Sequence, residues 1–155
     1  MLKGTISIEN ARIGFKNFAG AEGQYNRAGD RNFVVFLDRE FAEKLEADGW
    51  NIKWPKPNEK LSEDQELERQ PYLPVDASFG AIPPKIVMIP DHPDAVPTKL
   101  DEGEVEMLDW VNIIKTDLII RPYNWEVNGN KGVKAYVKSL YATIETDEFQ
   151  EKYGI

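Results

Sequence analysis

The run Asp117-Leu-Ile-Ile-Arg-Pro-Tyr-Asn-Trp-Glu-Val127, the tripeptide Asn128-Gly129-Asn130, and the run Val133-Lys-Ala-Tyr-Val-Lys-Ser-Leu-Tyr-Ala-Thr-Ile144 decide the fold. Two β-branched and aromatic stretches around an Asn-Gly turn predict a β-hairpin, because a tight turn needs residues that accept positive φ. A turn of Gly129-Asn130, or of Asn128 to Lys131, sets Trp125 opposite Lys134, Tyr123 opposite Tyr136 and Arg121 opposite Lys138. Side chains alternate across a strand, so these six share one face. Ile120, Pro122, Val133, Ala135 and Val137 take the other face and supply a core.

Working outward, residues 2–8 alternate apolar and polar as a half-buried strand does, and Ile13 continues the pattern. Residues 17–32 are rich in Gly, Ala and Asn and predict an irregular loop. Asn32–Leu37 reads as a buried strand, followed by a helix capped by Asp38, with Phe41 and Leu45 on one face and a stop at Gly49. Trp50–Trp54 predicts extended chain with both Trp and Ile52 on one side, and Pro55–Gln70 a long exposed loop. Tyr72–Phe79 and Lys85–Ile89 are further strands, and Pro90–Pro97 is a loop. A short helix begins at Asp101, with Glu104 completing a capping box and Val105 and Leu108 buried. Many strands with one or two short helices predict a mainly β protein, a small OB-like Greek-key barrel, over residues 1–144.

The net charge of −8 argues against a uniformly basic surface, but the charge is unevenly spread. Residues 1–35 hold five Lys/Arg against three acids, and residues 116–144 hold four against two. Residues 36–115 carry nine basic and eighteen acidic residues, and residues 145–155 one against four. Charges beyond about 10 Å are largely screened at physiological salt, so a local basic face can hold an anion on an acidic protein.

The hairpin face that interleaves Arg121, Tyr123, Trp125, Lys134, Tyr136 and Lys138 has the chemistry a single nucleic-acid strand requires. Bases stack on aromatic rings, and the phosphates between them need Lys or Arg. An amphipathic hairpin whose cationic stems only cover its rings would show the same pattern. Phe15, Lys16, Phe18, Tyr25, Arg27 and Arg31 repeat the mixture among glycines, where Phe residues that pin a loop to the barrel are the alternative. Trp50, Ile52 and Trp54 read as core.

These blocks carry a family resemblance. Asp117–Glu126 with Lys131–Leu140 looks like the closing hairpin of phage-encoded single-stranded DNA-binding proteins with an OB-type fold. Asn10–Phe15 and Gly29–Phe33 look like their opening strands. The resemblance implies sequence-tolerant binding of strands exposed in phage replication or recombination, in the cytoplasm of the bacterial host. It implies single-stranded DNA as the partner, and replication or recombination proteins recruited through an acidic tail, here residues 145–155. That tail holds Phe149 and Tyr153 but ends Gly154-Ile155, unlike the terminal aromatic of many such proteins. The sequence leaves homo-oligomerisation open.

No cofactor or metal motif is present. The chain has no cysteine, and its one histidine, His92, lies in a Pro-flanked acidic loop. A Ser/His/Asp site would rest on that residue alone. No Walker-type loop occurs, and no apolar run approaches the roughly 20 residues of a membrane helix. A binding protein rather than an enzyme is expected. Two alternatives remain: a carboxylate-metal nuclease, and an acidic inhibitor that mimics DNA or blocks a host protein, for which the pI near 4.8 speaks.

Overall fold

Apolar alternation from Ile6 onward builds strand β1 (Ile6–Asn17) in the computed structural model, which describes residues 4–146, apart from the side chains of 66–68. Leu2 and Lys3, where the sequence starts this strand, lie outside the described residues, as does most of the acidic tail. In chain order there follow β2 (Asn32–Phe36), helix α1 (Arg39–Ala47), helix α2 (Glu63–Glu68), β3 (Tyr72–Asp76), β4 (Lys85–Pro90) and β5 (Thr98–Leu100). A 3-10 turn (Val105–Asp109), β6 (Ile113–Val127) and β7 (Asn130–Ile144) complete the series.

The sheet runs β3-β2-β1-β6-β7-β4-β5, and β3 also pairs in parallel with β7. That last pairing closes β1, β2, β3, β7 and β6 into a five-stranded barrel, with β4 and β5 extending from β7. The mainly β, OB-like barrel expected from the sequence is therefore what forms. Phe33, Val35, Leu73, Val75, Leu118, Ile120, Val137 and Leu140 fill its interior. Shifts of register in β1 after Ile8 and after Gly14, and in β6–β7 at Ile119–Ile120, are bulges that help the strands coil shut.

Several local expectations change. Asp38 caps α1 by accepting the Phe41 N–H at 2.8 Å, as the sequence indicates. The stretch 55–70 is not wholly a loop, because Ser62 and Gln65 exchange side-chain and backbone hydrogen bonds as a capping box and start α2. Trp50–Trp54 forms no strand; Trp50 and Ile52 are buried, isolated bridges to Val133 and Tyr72 hold the segment, and partly buried Trp54 donates its indole N–H to Glu46 at 2.7 Å. The Asp101 helix is a 3-10 turn that buries Val105 and Leu108, with Glu104 accepting the Asp101 N–H. Strand β5 was not foreseen; three residues are too few for a period to show.

The hairpin register also differs. Asn128 and Gly129 both take positive φ (52° and 82°), so they form the two-residue turn and Val127 pairs with Asn130. Every pair near the tip slips by two residues: Trp125 faces Gly132, Tyr123 faces Lys134, and Arg121 faces Tyr136. Gly129, not Asn130, takes the second turn position because positive φ costs glycine least. An even slip preserves the side of every residue, so the face itself survives.

Candidate nucleic-acid interface

On the outer side of the hairpin, Tyr123 is 54% exposed and Trp125 38%, while Val133, Ala135 and Val137 beneath them are buried. Tyr123 and Tyr136 meet edge to face, 6.1 Å apart at 89°. The Arg121 guanidinium lies 4.7 Å from the Tyr136 ring centroid and the Lys134 ammonium 5.4 Å from it. Trp125 lies against the backbone of Gly132; a Cβ there would sit 3.0 Å from the indole. Glycine at 132 is what lets the indole rest flat on the strand. Lys138 is the extra residue of the β7 bulge, between Val137 and Ser139 in register, and is exposed.

A second patch, of whose members the sequence named only Phe15 as a binding residue, lies on the outer face of β1, β2 and β3. Phe36 pairs with Tyr72 and Arg12 with Phe36 across the sheet. The Arg12 guanidinium sits 4.3 Å from the Phe36 centroid, and the Phe36 and Tyr72 rings are 6.0 Å apart. Phe15 joins them at 6.3 and 6.1 Å and stays 74% exposed. Its φ of 48°, within the β1 bulge, throws the ring outward. Gly14 makes room, since a Cβ there would meet the Phe36 ring at 2.7 Å. Only the β1–β2–β3 register brings these residues together.

Asp76 joins the two patches. It pairs with Asn32 on β2 and with Tyr136 on β7, and its Oδ2 lies 2.9 Å from the Lys134 Nζ. That hydrogen bond raises the lysine above its ordinary pKa against a smaller opposing effect of burial. Two concavities meet at this pair: Gly29, Arg31 and Tyr136 line one, and Pro74, Trp125 and Gly132 the other.

The loop residues divide. Phe18 is wholly buried and stacks on Phe33 at 5.3 Å, so it belongs to the core and offers no face to a base. Lys16 donates to the carbonyls of Leu108 and Val111 at 2.8 and 3.0 Å. Burial lowers its pKa, and Asp109 partly offsets this. The Lys16 charge thus serves the end of the 3-10 turn rather than an open phosphate site. Asp109 also accepts the Phe18 and Ala19 N–H groups, which fixes the start of the loop. Asn26 ties the rest together by donating to the carbonyls of Ala21 and Asp30. Tyr25, 94% exposed, and Arg27 remain outside, and half-buried Arg31 lines the groove.

Among the described residues, no three His, Asp or Glu side chains converge as metal ligands, and no helix is long and apolar enough to cross a membrane.

The sequence matches a family model described as "Putative phage ssDNA-binding domain" over residues 2–155. No curated protein matches it. The structure is similar to the C-terminally truncated single-stranded DNA-binding protein of bacteriophage Enc34, with TM-score 0.56 and 13% identity, over 93% of this chain and 87% of that one. The same phage protein in complex with ssDNA aligns with TM-score 0.54 and 12% identity, over 94% and 89%. At such identity the likeness concerns the fold alone.

Proposed function

The chain belongs to the phage ssDNA-binding domain family, and from that premise we propose how its surface holds the strand. Single-stranded DNA binding is the function of the protein. In our reading the strand crosses the outer face of β2, β3 and the β6–β7 hairpin. Bases stack on Tyr123, Trp125 and Tyr136 at one end and on Phe15, Phe36 and Tyr72 at the other. Arg121, Lys138, Arg31 and Arg12 meet the phosphates, and Tyr25 and Arg27 flank them on the loop. OB barrels take oligonucleotides on the face of their second and third barrel strands and in the loops joining the first to the second and the fourth to the fifth. With β6 and β7 as the fourth and fifth barrel strands, those loops are the 18–31 loop and the hairpin turn here.

The observation that carries this reading is the β3–β7 closure, which makes one continuous face of two aromatic and cationic patches. Stacking is sequence-tolerant because every base has a π-face, so little base preference follows. The role is protection of strands exposed in phage DNA replication or recombination, in the host cytoplasm, by binding and not by catalysis. Recruitment of replication or recombination proteins through residues 145–155 is a separate part of the proposal; deleting 147–155 should abolish it without loss of strand binding.

Titration of labelled oligo-dT at two salt concentrations, with duplex as competitor, tests the central claim. Binding should weaken as salt rises and resist duplex competition. Affinity equal for both forms sinks it, as does metal-dependent cleavage of the strand, which would favour the nuclease reading. The acidic-inhibitor reading draws only on net charge, and the cationic hairpin opposes it.

A further inference from the structure

Resting on that reading, we infer that Asp76 makes the face selective for unpaired strands, by cancelling the Lys134 charge at the centre of the groove. A carboxylate is an odd occupant of a phosphate path. Asp76 nevertheless sits where both concavities meet, and its Oδ2 holds the Lys134 ammonium at 2.9 Å. The pair is more sheltered than an ordinary surface contact: the side chains are 33% and 50% exposed, against 83% and 72% for Glu40 and Lys44 at 3.5 Å. The pair nonetheless stays a third to a half open to solvent, and ion pairs in contact with water add little to stability, so stability alone is a weak reason for an acid here.

The consequence differs between single strand and duplex. A duplex hides its base faces and presents mainly phosphate to this surface, so its affinity follows the uncompensated cations. Arg12, Arg31, Arg121 and Lys138 remain for phosphate elsewhere on the face, but the Lys134 ammonium is compensated by Asp76 where the two concavities meet. Duplex therefore lacks a phosphate contact at the centre of the face. A single strand gains from the stacking platforms on either side of Asp76. The carboxylate between them accepts only hydrogen bonds and repels phosphate. Asp76 therefore costs duplex binding and costs strand binding little.

The test measures single-strand and duplex affinity by anisotropy across salt for wild type, D76N, K134Q and the double variant. Folding is checked by melting, and D76S repeats the charge change with a different shape. D76N should tighten duplex binding about five- to tenfold at low salt and steepen its salt slope by about 0.9, the value of one added phosphate contact on B-DNA. Single-strand affinity should move less than about twofold, because stacking carries it. Duplex affinity should fall in the order D76N, wild type with the double variant, then K134Q. A D76N protein as selective as wild type overturns the inference and leaves the strand-binding reading intact. Loss of single-strand affinity in D76N also overturns it, since Asp76 would then be aiming Lys134 at phosphate. A wild-type protein that does not prefer single strands sinks both.

Discussion

In the β6–β7 hairpin the pleat fixes which side each ring takes; in the 15–31 segment local packing and one bulge do. Both regions interleave aromatics with cations. On the hairpin, Tyr123 and Trp125 face outward because Val133, Ala135 and Val137 hold the inner side. In the N-terminal segment, Phe15 and Phe18 are three residues apart, yet one is 74% exposed and the other wholly buried. A positive φ at Phe15 and the Asp109 contacts at Phe18 and Ala19 separate them. Periodic structure conserves side under error, as the two-residue slip shows, and irregular chain does not.

The largest effect that could break this contrast belongs to Phe18. Phe18→Ala should cost about 3–5 kcal/mol of stability, as for aromatic truncation in a core, with strand affinity retained in the folded fraction. Chemical denaturation alongside binding checks it; a fully stable variant with lost affinity would return Phe18 to the interface. Next comes Lys16→Met, which removes a charged donor from two carbonyls. It should lose about 1.5–3 kcal/mol of stability and leave the salt dependence of binding unchanged.

The hairpin should behave in reverse. Tyr123→Ala and Trp125→Ala should each weaken strand binding by about 1–3 kcal/mol, with little change in melting temperature. A large fall in melting with affinity kept would make the hairpin rings packing elements and erase the contrast. The smallest expected effect is that of Lys138→Ala, which should reduce the single-strand salt slope by about 0.7 and leave melting unchanged. An unaltered slope would place the bulge residue outside the phosphate path.

Much of this was legible in the sequence. The Asn128-Gly129 turn, the alternation on either side of it, the Asp38 cap and the buried Asn32–Leu37 run all act locally, through φ preference, side-chain period and short hydrogen bonds. The Ser62–Gln65 capping box was legible too, but the polar composition around it argued for loop. What local rules could not supply is pairing between distant strands. Phe36 and Tyr72 end separate strands, and nothing along the chain brings them to Arg12 and Phe15. Asp76 looks like one acid among many until β3 closes against β7 and sets it beside Lys134.

The sequence by itself determined the mainly β character, the hairpin and the outward side of its cations and rings, because a pleated strand reads its own pattern. The tertiary structure alone decided that Phe18 belongs to the core and Lys16 to the 3-10 turn. It also decided that two aromatic patches form one face with a carboxylate at its centre. Those outcomes rest on barrel closure and on bulges in β1, where the energy comes from contacts between residues far apart in the chain.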